Sequence, residues 1–168
     1  MTVPPTYFLI DASLDFNQKF HKLIFINAFP TRSTEAGSRM HVSPLRVYLV
    51  EDSLIIFGLL RDLMESTGAE VVGHSIGAAE AIDEIGKTAP DVVVVDIALT
   101  EGNGFEVLKA MANRESRPVI YVLSNYETSP YRAQASLLGA DGFFSKDKEM
   151  TALVESVTTL VNAHTHAA

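Results

Sequence analysis

The 168-residue chain contains no cysteine, which excludes disulfides and thiolate chemistry and suits a reducing compartment. It also lacks an apolar run of membrane-spanning length and a basic start followed by a long apolar stretch, so we expect neither a membrane span nor a signal peptide. Positive charge is in the minority: 13 Lys and Arg face 21 Asp and Glu, whereas a nucleic-acid-binding surface needs clustered Lys and Arg. These absences predict a cytoplasmic protein that binds neither nucleic acid nor membrane.

Familiar catalytic motifs are missing as well. The sequence contains no Gly-rich phosphate loop, no recognisable Ser-His-Asp set and no Cys-His cluster.

The most informative stretch is a run of four valines, which ends at Asp96. Consecutive β-branched residues are typical of a strand buried on both faces, as in a parallel sheet. Asp96 stands at the carboxyl edge of that strand, where ligands gather in open α/β sheets. A lone acid at this position would more often simply begin a turn, so the residues near Asp96 decide whether it is interpreted as functional.

Apolar periodicity predicts strands that alternate with helices from residue 45 onward. Such alternation indicates right-handed crossovers and a doubly wound parallel α/β sheet. Gly68 is placed to end the first helix. The predicted strands are 45–50, 70–75, 90–96, 118–124 and 142–145, and the predicted helices are 53–67, 78–87, 105–113, 130–138 and 148–163.

The chain is expected to split near Met40, and we divide it into three parts. Residues 1–44 form an N-terminal extension and linker, the latter rich in small polar residues. Two interpretations of the extension stay open: a short segment that docks elsewhere, or sequence upstream of a true start at Met40. Residues 45–163 form the main domain and residues 164–168 a frayed tail.

Polar side chains with complementary chemistry follow four of the five predicted strands: Glu51, Asp52, Asp96, Ser124 and Lys146. In a doubly wound sheet these strand ends face one crevice. Three converging acids without Cys or His favour a hard ion such as Mg²⁺. A carboxylate beside Mg²⁺ and an ammonium is a plausible phosphoryl acceptor. Taken singly, each residue has an ordinary explanation as a helix-start acid, a turn former or a surface charge.

This constellation resembles the receiver domain of bacterial two-component response regulators, from about Leu45 to Leu160. Gly104 and the approach to the last strand, residues 139–143, are similar to that family too. The resemblance implies a flavodoxin-like sheet of five strands in the order 2-1-3-4-5. It also implies a histidine kinase or phosphotransfer protein as phosphoryl donor, a downstream protein target, and a homodimer as an open alternative.

The resemblance further implies a role for each site residue. Asp96 is the phosphoacceptor, Ser124 the hydroxyl that follows the phosphoryl group, and Lys146 the pairing lysine. Phe143 is the aromatic switch that turns together with Ser124. The expected Mg²⁺ ligands are Asp52, Asp96 and the backbone carbonyl of Ala98, with Glu51 acting through water.

Two positions depart from the family pattern. Thr100 stands where the family usually has proline, four residues after Asp96, and Asp147 stands where proline usually follows the lysine. A cis peptide bond before a non-proline residue costs about 3–4 kcal/mol, so the second turn is expected to be trans or strained. Asp147 is instead expected to cap the closing helix. Neither departure removes a chemical group from the site.

We therefore expect a stand-alone receiver without an output domain, a phosphorylation switch rather than an enzyme, with only self-phosphorylation and slow self-dephosphorylation. One alternative is a pseudo-receiver that binds partners without phosphorylation, although no site residue is lost. Another is a metal-dependent phosphohydrolase of the haloacid-dehalogenase type. That chemistry needs a second acid two residues after the nucleophile, where this chain has Ala98.

Overall fold

The computed structural model describes residues 43–112, 114, 116–126 and 128–166. These residues form a sheet of five parallel strands in the order β2-β1-β3-β4-β5. The predicted class and strand order are therefore confirmed. Residues 1–42 of the predicted extension and linker lie outside the described residues. The strands are β1 (Arg46–Val50), β2 (Glu70–Ser75), β3 (Val92–Val95), β4 (Val119–Ser124) and β5 (Gly142–Ser145).

Five helices alternate with these strands in the described residues, and their bounds lie within two residues of the predicted ones except at the end of the last helix. The first ends as predicted, because Gly68 follows it with a positive φ of 92°. The helices are α1 (Leu54–Ser66), α2 (Ala78–Thr88), α3 (Gly104–Met111), α4 (Ser129–Leu137) and α5 (Met150–His166).

The valine strand lies at the centre of the sheet. β3 pairs with β1 on one side and β4 on the other, and all four valines are buried. Side chains of successive strand residues point to opposite faces, so burial of every residue means that both faces are covered. Asp96 therefore follows directly on a strand that is paired on both sides and buried on both faces.

The β1–β2 ladder contains an irregularity that the sequence analysis does not predict. Val47 pairs with Val71, but Tyr48 pairs with Gly73, so the register shifts by one residue. The Tyr48 ring occupies the space beside Gly73, where a Cβ atom would lie 2.3 Å from the ring. The hydroxyl of the ring is hydrogen-bonded to the Ser75 hydroxyl at 2.7 Å. Glycine at residue 73, on the edge strand β2, thus leaves room for the buried ring of Tyr48 on the neighbouring strand β1.

Two predictions about the closing helix are wrong. Asp147 does not cap it, because α5 begins at Met150 and Asp147 lies in the preceding turn. Glu149 precedes the helix instead, and its carboxylate accepts a hydrogen bond from the Ser145 N–H at 2.8 Å. The helix also continues to His166, where a tail is predicted. The peptide bond after Lys146 is trans, since the described residues contain no cis bond.

Candidate functional site

The β1–α1 turn presents the first two acids of the site. The Glu51 N–H donates to the Ser75 carbonyl at 3.0 Å, which ties this turn to β2. The Ser53 hydroxyl caps α1 by accepting from the Ile56 N–H. Glu51 is buried, whereas Asp52 is half-buried. Two adjacent acids therefore have different environments.

Asp96 is held at the end of β3 by its own backbone and by the loop that follows. Its N–H donates to the Val50 carbonyl at 2.9 Å, and its Oδ1 accepts from the Ala98 N–H at 3.1 Å. Gly104 approaches so closely that a Cβ there would lie 2.3 Å from the Asp96 carbonyl oxygen. Glycine is required here by that close approach, because any side chain would push the loop off the site.

Lys146 joins the buried acids. Its Nζ donates to Glu51 Oε2 at 2.6 Å and to Asp96 Oδ2 at 2.7 Å. The three side chains are only 2–7% exposed. The Lys146 backbone N–H donates to the Ser124 carbonyl at 3.2 Å, which places the end of β4 beside Lys146. Charges so deeply buried need paired partners, and each has one.

The pKa shifts in this cluster have opposing causes. Burial raises the pKa of Glu51 above its ordinary value, against the opposing effect of the hydrogen bond from Lys146. Burial alone would lower the pKa of Lys146, but hydrogen bonds to Asp96 and Glu51 reverse the effect and raise it. Lys146 therefore stays an ammonium at neutral pH, available to balance negative charge.

The three acids also form a set that can hold a cation. One carboxylate oxygen from each of Glu51, Asp52 and Asp96 lies within 4.8 Å of the others. Within the described residues, the Lys146 ammonium contacts two of these three carboxyl groups, those of Glu51 and Asp96. All-oxygen ligands with open positions for water fit Mg²⁺, which is bound through one or two carboxylates. The donor set therefore fits the predicted ion.

Ser124 and Phe143 lie where the sequence analysis places them, on adjacent strands. Ser124 is buried, and its hydroxyl oxygen accepts from the Tyr126 N–H at 3.3 Å. Phe143 on β5 pairs with Val122 and is half-buried against the core. The guanidinium of Arg132 lies 4.7 Å from the centre of the Phe143 ring.

Sequence reasoning missed three contacts around the site. The Thr100 hydroxyl donates to Asp52 Oδ2 at 2.5 Å. His74 Nε2 lies 2.7 Å from the Glu51 carbonyl oxygen. Arg132 connects the Phe143 carbonyl to the Glu149 carboxylate. Only Thr100 carried a signal, as a departure from the family pattern.

A separate cavity of about 380 Å³ lies at the opposite end of the strands, beside Asp91 and Val119. Its two arginines are already engaged: Arg114 donates to the Ile82 carbonyl, and Arg117 pairs with Asp141. This cavity is remote from the strand ends that carry the acids.

Comparison with known proteins establishes the class. Residues 47–158 match the response regulator receiver domain family. The chain therefore belongs to that family, whose members are signalling domains that bind Mg²⁺ in an acidic pocket and interact with histidine kinases, phosphotransfer proteins and downstream targets. No helix among the described residues combines the length and apolarity needed to cross a membrane.

Individual relatives agree with this assignment. The chemotaxis protein CheY of Thermotoga maritima is 28% identical over 112 residues, which are 67% of this chain and 93% of that protein. The DNA-binding transcriptional activator DevR/DosR of Mycobacterium tuberculosis is 31% identical over 117 residues, 67% of this chain. The chain spans only 52% of that activator.

A solved structure supports the fold. A LuxR-family two-component response regulator from an Aurantimonas species superposes with a TM-score of 0.66 at 27% identity, over 72% of this chain and 87% of that one.

Proposed function

We propose that this receiver domain accepts a phosphoryl group on Asp96 from the phosphohistidine of a histidine kinase or phosphotransfer protein. The observation that carries the proposal is the convergence of Asp96 with Lys146 and two further acids at one edge of the sheet. A carboxylate oxygen of Asp96 attacks phosphorus, the phosphorus–nitrogen bond of the donor breaks, and the imidazole leaves. The product is an acyl phosphate on Asp96.

The neighbouring residues have distinct roles in this transfer. The Lys146 ammonium neutralises charge on the phosphoryl oxygens, and the Ser124 hydroxyl donates a hydrogen bond to one of them. Glu51, Asp52, Asp96 and the Ala98 carbonyl would hold Mg²⁺. When bound, the ion supplies further neutralisation of the transferring oxygens.

The two alternatives have less support. A phosphohydrolase needs an acid two residues after its nucleophile, but Ala98 supplies only a methyl group there. A pseudo-receiver would lack at least one reacting group, whereas every predicted side chain is present at the strand ends. The net charge of −8 supports a protein partner rather than a nucleic acid. We also propose a cytoplasmic location, and a homodimer stays an open alternative.

The output is proposed to leave through α4, β5 and α5, by way of Ser124 and Phe143. Arg132 supports this choice because it links these segments. It lies on α4, contacts the Phe143 ring and carbonyl on β5, and pairs with Glu149, the residue that precedes α5. A Ser124 hydroxyl drawn toward the phosphoryl group leaves space into which the ring can turn.

The test is phosphorylation of the purified full chain by acetyl phosphate. With Mg²⁺ present, we expect intact-mass spectrometry to show one added phosphoryl group, and we expect Asp96→Asn to abolish it. Asp62→Asn, which changes an exposed carboxylate on α1, is the matched control and should behave as wild type. An unmodified wild type would favour the pseudo-receiver, and sustained multiple-turnover release of phosphate would favour the hydrolase.

A further inference from the structure

The strongest unassigned feature is the hydrogen bond between Thr100 and Asp52. These residues are 48 positions apart in sequence, and the bond joins the loop after β3 to the turn after β1. The Thr100 hydroxyl donates to Asp52 Oδ2 at 2.5 Å. The two loops that carry Asp96 and Asp52 are thereby linked side chain to side chain.

Thr100 is held in place by the residues that follow it. The Glu101 carbonyl accepts from the Ala78 N–H at 2.9 Å, and Glu101 forms a β-bridge with Gly77. Gly102 then turns the chain with a φ of 76°. Because the next residue is pinned to the start of α2, the Thr100 hydroxyl is presented to Asp52 from a fixed backbone.

Asp52 lacks the contact with Lys146 that orients the other two acids. Lys146 binds Glu51 and Asp96, whereas among the described residues Thr100 provides the side-chain hydrogen bond to Asp52. Asp52 is half-buried and begins a turn, so without that bond its carboxylate could rotate. Asp52 Oδ2 accepts the hydrogen bond from the Thr100 hydroxyl. Within the described residues Oδ1 accepts no hydrogen bond, and it stays available to a cation.

We propose that Thr100 is a positioning residue for the metal site: its hydroxyl orients the Asp52 carboxylate for Mg²⁺ without ligating the ion. The inference rests on the proposed function, because it assigns Asp52 as a ligand. Hydrogen-bond partners of ligating carboxylates commonly change metal affinity by about 10–100-fold when removed. Where the family usually has proline, this chain has a hydroxyl donor.

The test is calorimetric titration of the full chain with Mg²⁺. Thr100→Val preserves shape but removes the hydroxyl, and we expect it to weaken binding by about tenfold. Thr100→Ser keeps the donor and should bind as wild type. Thr158→Val is the matched control, because the Thr158 hydroxyl donates within α5, to the Val154 carbonyl. Thr100→Ala replaces the valine variant if the latter fails to fold.

A second readout separates positioning from chemistry. In acetyl phosphate reactions, Thr100→Val should need more Mg²⁺ for half-maximal rate but reach the wild-type rate at saturation. Unchanged or tighter Mg²⁺ binding in Thr100→Val, while Asp52→Asn loses it, would overturn the role of Thr100 and leave the proposed function standing. A wild type that neither binds Mg²⁺ nor becomes phosphorylated would overturn both.

Discussion

At the scale of single residues, the decisive feature is the burial of one ammonium between two carboxylates. Lys146 offsets the cost of removing Glu51 and Asp96 from water, but it leaves Asp52 to another partner. Removal of one member of a buried ion pair exposes the others to the full desolvation cost. The arrangement that we propose receives a phosphoryl group therefore also makes the metal-free protein dependent on Lys146.

Lys146→Met should lower the free energy of unfolding of the metal-free protein by about 3–5 kcal/mol. The deficit should shrink as the pH falls, because protonation neutralises carboxyls that the variant leaves unpaired. Burial already raises the pKa of Glu51 in the folded protein above its pKa in the unfolded chain. The contribution of this carboxyl to stability is therefore present at low pH and is lost as the pH rises through the pKa of the folded state. Urea denaturation at several pH values measures this. A variant as stable as wild type at neutral pH would contradict it.

At the scale of elements, the edge of the sheet depends on a glycine in a strand. Glycine normally weakens a strand, but Gly73 leaves the space that the buried Tyr48 ring occupies. The ring cannot yield easily, because its hydroxyl is hydrogen-bonded to Ser75.

Gly73→Ala should therefore destabilise the protein by about 1–3 kcal/mol through overpacking. Gly58→Ala is the control: Gly58 lies inside α1, a Cβ there meets nothing within 4 Å, and the change should stabilise by about 0.5–1 kcal/mol. Thermal unfolding of both variants decides the point. Equal shifts in the same direction would show that the Tyr48 contact does not matter.

At the scale of the whole molecule, the proposed function requires that the site communicate with a surface that a partner can recognise. Arg132 on α4 contacts Phe143 on β5 and the residue before α5, so direct side-chain contacts link these three segments. A change at Ser124 can reach that surface through the Phe143 ring if the ring has two arrangements.

We expect acetyl phosphate with Mg²⁺ to change amide hydrogen exchange in α4 and β5 of the wild type. Phe143→Ala should accept the phosphoryl group normally but show a smaller exchange change, because the ring that couples Ser124 to the surface is missing. Phe144→Ala is the control, since the neighbouring residue points to the other face of β5 and packs on Tyr121. Equal exchange changes in wild type and Phe143→Ala would count against this coupling.

Local sequence patterns predicted the alternation of strands and helices and the residues at the strand ends. Periodicity and the valine run are local signals, and parallel strands necessarily bring Glu51, Asp96 and Lys146 to one edge. The strand order, by contrast, was available only through resemblance to a family.

The tertiary structure alone decided how the loops meet. Three features depend on side-chain directions that loop backbone or strand register sets. They are the Thr100–Asp52 hydrogen bond, the Tyr48–Gly73 contact and the placement of Glu149, rather than Asp147, directly before α5. Local propensity carries no information about such directions, because they are set by packing between segments distant in the chain. For that reason the sequence could predict which polar residues lie at the strand ends, but it could not predict the hydrogen bond between Thr100 and Asp52.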